Sequence, residues 1–384
     1  MRVVHLHNRF DQAAGGIVAA LDGMARAQVN AGLDVGLLVT PRVGEDTSLC
    51  DRLIDDGVDV KVIGPCTTPL RLHPSLRSAI EAAVAGADVI HLHGVWEQVQ
   101  HLGARIAHRH GVPYLLSPHG MLDPYNLRSK YLKKRLYRLW RLQKDLNQAA
   151  AVHCTTRTEA DLAAPLLQRT EPLVESLGVD LREFQDLPTP GTFRQRFGLT
   201  DNQRIVLFLS RIHAKKGLDV LVPAFAQAAV EDTVLVIAGP DDGGHQAVIE
   251  KLVAQHGLQG RVHFPGMLYG RQRIEAMVDA EVFALSSYQE NFGIVVVESL
   301  ASGTPVLISD QVNLHGEVTA ADVGEVATTD VDCFADMIRR WMTDDARRRS
   351  ATKRTRPYAL GNYDWEVIAR HWVDHYRHVV DRVR

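Results

Sequence analysis

R-I-V-L-F-L-S-R-I-H-A-K-K-G, residues 204 to 217, opens as an unbroken apolar run, turns cationic and ends on a glycine. A run that short without polar alternation suits a strand covered on both faces, and Gly217 marks where a helix starts. The same succession recurs on both sides. Downstream come TVLVIAGP, a helix near HQAVIEKLVAQHG, RVHFPG, VFALSS, a helix around Glu298, and PVLISD. Upstream, RVVHLH leads into the amphipathic stretch GIVAALDGMARAQVNAG, followed by DVGLLV, VKVIG, DVIHLHG, YLLSPHG and AVHCTT. Strands alternating with helices predict an α/β protein with parallel, doubly wound sheets. Neither series carries a GxGxxG after its first strand, which disfavours a dinucleotide oxidoreductase.

Between residues 175 and 200 the punctuation changes, and Pro188, Pro190 and Gly191 mark a linker. The expected pieces are a Rossmann-like domain over 1–176, a second over 177–356, and a C-terminal helix within 357–384 that packs back onto the first. In that helix Trp365, Ile368, Trp372, Tyr376 and Val379 recur at helical spacing, with Asp364 as the expected N-cap. Open parallel sheets bind ligands at the carboxyl ends of their strands, so two such sheets face to face would hold an active site in the cleft between them.

The 384 residues are 46% hydrophobic and 23% charged, ordinary for a globular protein with ample core. With 43 basic against 46 acidic residues, the net charge of −3 argues against general nucleic-acid binding. Cys50, Cys66, Cys154 and Cys333 lack metal-like spacing and read as reduced thiols. No apolar run reaches membrane-span length and MRVVHLHNRF contains no signal-peptide core, so the expected location is the cytoplasm.

Three places suit an anion. Gly15-Gly16 lies between the first strand and its helix, where backbone N–H groups face outward; a plain flexible loop fits equally well. Arg211 at a strand's carboxyl end and Lys216 just before the next helix could clamp a diphosphate, or could be solvated loop cations. Asn291, Phe292, Gly293 and Ile294 open a short apolar helix and would offer N–H groups to a phosphate. On that helix Glu298 could accept two hydrogen bonds from a ribose diol, and Glu290 on the loop ahead could reach sugar hydroxyls. Nearby arginines or backbone could instead satisfy both glutamates. The backbone near Gly266, Met267 and Leu268 is a candidate reader of the base.

In this order, Gly15-Gly16, S-P-H-G at 117–120, G-V-D at 178–180, Arg211 with Lys216, and the E-x7-E of Glu290 and Glu298 resemble the retaining glycosyltransferases of family 4, which adopt the GT-B fold. The resemblance covers nearly the whole chain. It implies that Arg211 and Lys216 neutralise the donor diphosphate, Glu298 binds the ribose, Glu290 contacts the donor sugar, His119 stands at its 6-hydroxyl side, and Gly16 lies against the phosphates. Ser210 stands where the family usually has Gly before the Arg, and Leu177 where it commonly has Asn before G-V-D. The resemblance favours front-face transfer, in which the leaving diphosphate takes the acceptor's proton, over a double displacement on a carboxylate. Fixed cations would then replace a divalent metal. No metal or cofactor is expected, and the Asp330-Val331-Asp332 string reads as a helix cap.

On the acceptor side, residues 128–144 carry eight basic side chains and no acidic one, interleaved with Leu132, Leu136, Tyr137, Leu139 and Trp140. Such a stretch suits an anionic membrane surface or a lipid-diphosphate acceptor, or a solvated helix whose apolar stripe packs on the sheet. The reading is thus a metal-independent hexosyltransferase acting between a nucleoside-diphosphate sugar and a saccharide or lipid-linked acceptor in polysaccharide or glycolipid assembly. The rivals are a GT-B nucleotide-sugar epimerase and a non-catalytic sugar-nucleotide-binding or membrane-peripheral protein.

Overall fold

The computed structural model describes residues 1–11, 15–68 and 71–383. It divides into two compact units, Met1–Val179 with Trp365–Arg384, and Asp180–Asp364.

The first unit is built on a parallel sheet of β1 (Arg2–His7), β2 (Asp34–Val39), β3 (Asp59–Val62), β4 (Val89–His93), β5 (Tyr114–Ser117), β6 (Ala151–Cys154) and β7 (Pro172–Val174), in the order β3-β2-β1-β4-β5-β6-β7. Its inner strands are mostly apolar and buried because both faces are covered, whereas the edge strands β3 and β7 are largely exposed. Val4, Leu6, Ile90, Leu92, Leu116 and Val152 belong to one core. Val3, Val35, Leu37, Val89 and Leu115 belong to the other, with the helices Gly16–Asn30 and Trp365–Asp381. The last of these buries Trp365, Ile368, Trp372, Tyr376 and Val379, the predicted stripe. Gly23 and Gly178 make room for its first residue: a Cβ on either would lie 2.1 or 2.2 Å from the Trp365 ring.

The second unit repeats the plan with β8 (Arg204–Leu209), β9 (Thr233–Ala238), β10 (Val262–Gly266), β11 (Val282–Leu285), β12 (Val306–Ser309) and β13 (Gly324–Ala327), ordered β10-β9-β8-β11-β12-β13. In each sheet the strand order reverses beside the unit's first strand, between β1 and β4 and between β8 and β11. Ligands of doubly wound sheets bind outside the carboxyl ends of the strands at that switch.

The structure adds elements the sequence did not announce. β7 and β13 are short edge strands, and the helix Asp345–Tyr363 packs its Ala351, Thr355, Ala359 face on the helix Ile294–Ala301 despite Pro357 in its interior. Asp364, in extended conformation, stands between that helix and Trp365–Asp381. The segment 175–200 is more than linker: Thr192–Phe197 is helical. All four cysteines are free.

Candidate active site

In the second unit the loops after β8 and β11 are tied together across the switch point. Gly217 adopts φ 67°, and a Cβ there would stand 1.9 Å from the Ser286 carbonyl oxygen. Ser286 Oγ donates to the Gly217 carbonyl at 2.7 Å, and Tyr288 N donates to the Lys215 carbonyl at 2.9 Å. Lys215 Nζ donates to Gln289 Oε1 at 2.8 Å. Replacing Gly217 by Ala therefore meets both a left-handed backbone and a backbone wall. We expect Gly217→Ala to cost about 3 kcal/mol in urea unfolding; a loss below about 0.5 kcal/mol, the range of an ordinary surface change, would mean the loops are not held so closely.

These ties bring Lys216 against Glu290. Lys216 Nζ donates to Glu290 Oε2 in an ion pair whose side chains are only 13% and 23% exposed. The Glu290 backbone is held on both sides, its N–H by the Gln311 carbonyl and its carbonyl by Asn313 N, each at 3.0 Å. Arg211, on the same loop as Lys216, is instead exposed and paired with Asp242 after β9. In this state each cation thus rests on a different carboxylate.

Beyond Glu290, Asn291 Oδ1 accepts from Asn313 Nδ2 at 3.4 Å, and Phe292 is buried edge-on to Tyr363. Gly293 at φ 76° turns the chain into the helix Ile294–Ala301, whose first N–H groups lack intrahelical acceptors. Glu298 on this helix lies 3.6 Å from Arg273 Nη1. Burial raises its carboxyl pKa, opposed by Arg273. Among the described residues the Glu298 carboxylate accepts no hydrogen bond, and the buried Arg273 Nη1, its ion-pair neighbour, donates none. Arg273 is anchored instead through Nη2, which donates to Glu183 at 2.5 Å. Gly266 closes β10, and its carbonyl accepts from Gly239 N at 2.9 Å; Met267 is exposed and Leu268 buried.

The remaining predicted residues belong to the first unit. Gly15, at φ 79°, precedes the helix Gly16–Asn30, and a Cβ on Gly15 or Gly16 would meet no atom within 4 Å. His119 follows β5 in a left-handed turn at φ 49°. Glu159 fixes that turn: its carboxylate accepts from Gly120 N at 2.5 Å and from Thr155 N at 2.7 Å. Burial holds the His119 ring well below the usual imidazole pKa, with His153 and His7 adding to the effect.

Asp330 caps the helix Val331–Thr343 by accepting from Asp332 N and Cys333 N, as expected, and Asp332 accepts from Gln227. The basic segment breaks once, at Ser129 and Lys130 after Pro124–Arg128; from there Tyr131–Tyr137, a π-helical turn over Arg138–Leu142 and Gln143–Gln148 run on without interruption. Of its apolar residues, Leu142 is buried in the core of the first unit and Tyr137 packs against it, but the other four face away. Leu132, Leu136, Leu139 and Trp140 are each 65–72% exposed, and Arg141 lies over the Trp140 ring at 4.1 Å.

Sequence reasoning passed over Arg273, Asp242 and Glu159, which meet Glu298, Arg211 and Gly120 from remote positions in the sequence. It also passed over a visible signal, H-L-H at 5–7 in β1 and again at 91–93 in β4. Parallel pairing sets His5 beside His91, and all four rings are buried. Desolvation lowers His5, His7 and His153 to about 4, and takes His91 and His93 well below 6.5.

Residues 15–174 match the glycosyl transferase 4-like domain, and residues 191–357 match glycosyl transferases group 1. The chain is 27% identical over 393 residues to a GDP-mannose:cellobiosyl-diphosphopolyprenol alpha-mannosyltransferase of Xanthomonas campestris, covering 98% of this chain and 96% of that one. It is 30% identical over 322 residues to a D-inositol 3-phosphate glycosyltransferase of Xylanimonas cellulosilytica, covering 80% and 76%. In fold it resembles Anabaena HepE in complex with UDP, at TM-score 0.79, 19% identity and 98% and 99% coverage. It also resembles a sucrose-phosphate synthase from Thermosynechococcus elongatus, at TM-score 0.76, 23% identity and full coverage of both chains. Paired Rossmann-like units with these relatives place the chain in the GT-B glycosyltransferases of the GT4 type.

Proposed function

We propose that this glycosyltransferase is a retaining enzyme that moves a hexose, mannose foremost, from a nucleoside-diphosphate sugar to a lipid-linked saccharide in polysaccharide or glycolipid assembly. The observation that carries the reading is the meeting of Lys216 with Glu290 at the switch point, beside a helix whose Glu298 has unused acceptor capacity. A diphosphate arriving there would take over Lys216 and Arg211 from their carboxylates, freeing Glu290 for sugar hydroxyls. Glu298 would accept from the ribose diol. Transfer would break the bond from the anomeric carbon to the diphosphate oxygen and form the new glycosidic bond on the same face. The acceptor's proton would pass to the departing diphosphate, whose charge Lys216, Arg211 and the Gly293–Ile294 N–H groups would hold. With both aspartates of the DxD-like string engaged in the scaffold, we assign the charge work to these cations. Mannose and a polyprenyl-diphosphate acceptor are favoured by the named activity of the Xanthomonas campestris relative, matched over nearly all of both chains.

The test is binding and slow hydrolysis of GDP-mannose, UDP-glucose and ADP-glucose with EDTA present. We expect GDP-mannose to bind and release mannose with retained configuration, and Glu298→Ala to weaken binding tenfold or more, about 1.4 kcal/mol. Binding of none would overturn the donor site, and activity that returns only with Mg2+ or Mn2+ would overturn metal independence.

The acceptor side fits the same picture. Among the described residues no helix is long and apolar enough to cross a membrane. The exposed leucines and Trp140 stand among eight cations, which suits an anionic lipid surface at which each near-surface cation adds about 1 kcal/mol. The intact protein should therefore sediment with vesicles containing phosphatidylglycerol, and Leu139→Glu with Trp140→Glu should cut that binding at least tenfold. Equal binding to purely zwitterionic vesicles would remove the membrane assignment.

A further inference from the structure

His119 is one end of a continuous buried hydrogen-bonded chain. Its Nε2 lies 3.0 Å from His93 Nδ1, and His93 Nε2 lies 2.9 Å from His5 Nδ1. His5 Nε2 meets Gln28 Oε1 at 2.8 Å, and Gln28 Nε2 meets the Tyr376 hydroxyl at 3.1 Å. That hydroxyl is 2.7 Å from His91 Nδ1, and His91 Nε2 is 2.6 Å from Ser117 Oγ. Ser117 Oγ is 2.7 Å from His153 Nδ1, and His153 Nε2 ends on the Glu175 carbonyl at 2.8 Å. His5, Gln28, His91, Ser117, His153 and Tyr376 are fully buried, and His93 nearly so.

The last partner fixes every proton. A carbonyl only accepts, so His153 carries its proton on Nε2 and, being neutral, accepts at Nδ1. Ser117 must then donate to His153 and accept from His91 Nε2–H. His91 Nδ1 accepts from the Tyr376 hydroxyl, which accepts in turn from the Gln28 amide. Gln28 Oε1 receives His5 Nε2–H, His5 Nδ1 receives His93 Nε2–H, and His93 Nδ1 receives His119 Nε2–H. His119 is left with a lone pair on Nδ1, for which the described residues supply no partner. The chain orients but does not conduct, because the Gln28 amide cannot relay a proton between His5 and Tyr376. His5, His91 and His93 lie close enough to suggest a metal, yet every ring nitrogen of the three is already used.

We propose that His93, His5, Gln28 and Tyr376 are positioning residues that hold the His119 proton on Nε2 and turn its Nδ1 lone pair toward a hydroxyl of the bound sugar. This deepens, and rests on, the reading that His119 stands beside the transferred sugar. It gives the helix Trp365–Asp381 a share in the site, through a hydroxyl on a residue that touches no ligand. It also sets a specificity rule: the group opposite His119 must donate, so a hydroxyl is accepted and a fluoro or deoxy replacement is not.

The test uses the full chain with 15N-labelled histidine rings and long-range proton–nitrogen correlation spectra at pH 7. In the ligand-free protein His5, His91, His93, His119 and His153 should carry the proton on Nε2. His7, whose Nδ1 donates to the His93 carbonyl at 3.0 Å, should carry it on Nδ1 and serve as the fold control. Tyr376→Phe removes the hydroxyl that joins the two arms, so the two His119 nitrogen shifts should move toward a common value. Ser117→Ala cuts the chain from Glu175, should act in the same way, and carries the test if Tyr376→Phe does not fold. A wild-type His119 protonated on Nδ1, or His119 shifts unaltered in a folded variant, overturns the positioning role. Saturating GDP-mannose should then shift His119 Nδ1. If it is bound without moving that nitrogen, the sugar contact falls while the chain's polarity stands.

Discussion

Lowering the pH from 7 toward 4 should unfold the first unit well before ordinary carboxylates titrate. In the folded state burial depresses His5, His7 and His153 to about 4, whereas in the unfolded chain they take protons near the ordinary value of 6.5. Between those values the unfolded chain binds more protons, so stability is complete above about 6.5 and is lost as the pH falls toward 4. At pH 5.5 each ring costs on the order of 1 kcal/mol, and by pH 4 the three together cost several kcal/mol, a large part of a domain's whole stability. His91, His93 and His119, also depressed, act in the same direction. Glu45, held near 2 chiefly by its hydrogen bond from Arg71, loses its contribution only below its usual 4.5, beneath this window. The measurement is the urea midpoint of the first unit's tertiary circular dichroism at pH 7, 6, 5.5 and 5. A midpoint that does not move over that range would mean the histidines are hydrated or already charged.

Lys216→Ala should lower turnover of the accepted donor by roughly 10²–10³-fold, the usual loss when one fixed stabiliser of developing oxyanion charge is removed. The effect should exceed that of Arg211→Ala. Lys216 is enclosed and held against Glu290 by the crossed loops, while Arg211 is exposed and held only by Asp242. The variant also strands Glu290 without its cation, so the double change Lys216→Ala with Glu290→Gln should recover stability but not rate. Single-turnover release of mannose from GDP-mannose separates the two. A rate for Lys216→Ala within a few-fold of wild type would remove the assigned role.

Much of this was legible in the sequence because doubly wound sheets write themselves as apolar runs separated by helical stretches. The runs that β1, β2, β4, β5, β8, β9, β11 and β12 form needed no tertiary information. β7 and β13 did, because three or four half-exposed residues at a sheet edge carry no periodic signal. The helix Asp345–Tyr363 was hidden by its arginines and Pro357, and only the face it lays on a neighbouring helix makes it stable. For the site, the sequence supplied residue types at strand ends, which is how Lys216, Glu290 and Glu298 were found. It did not supply partners: Arg273 and Asp242 lie 25 and 31 positions from the residues they meet. The H-L-H repeats went unread, since RVVHLH and DVIHLHG register locally only as buried strands and nothing local says that two such strands lie side by side.

The seat of Trp365 between Gly23 and Gly178 has a consequence for how the protein is made. Residues 1–179 leave the ribosome first, yet one face of their sheet is covered by Trp372 and Tyr376 near the other end of the chain. At roughly 5–20 residues per second, the intervening segment takes on the order of ten to forty seconds to synthesise. Through that interval the earlier-made half must wait with part of an apolar face uncovered, while the later-made half is contiguous and can close on itself at once. Birth order and order of completion are therefore reversed, and a nascent chain halted before Trp365 is one that chaperones should hold.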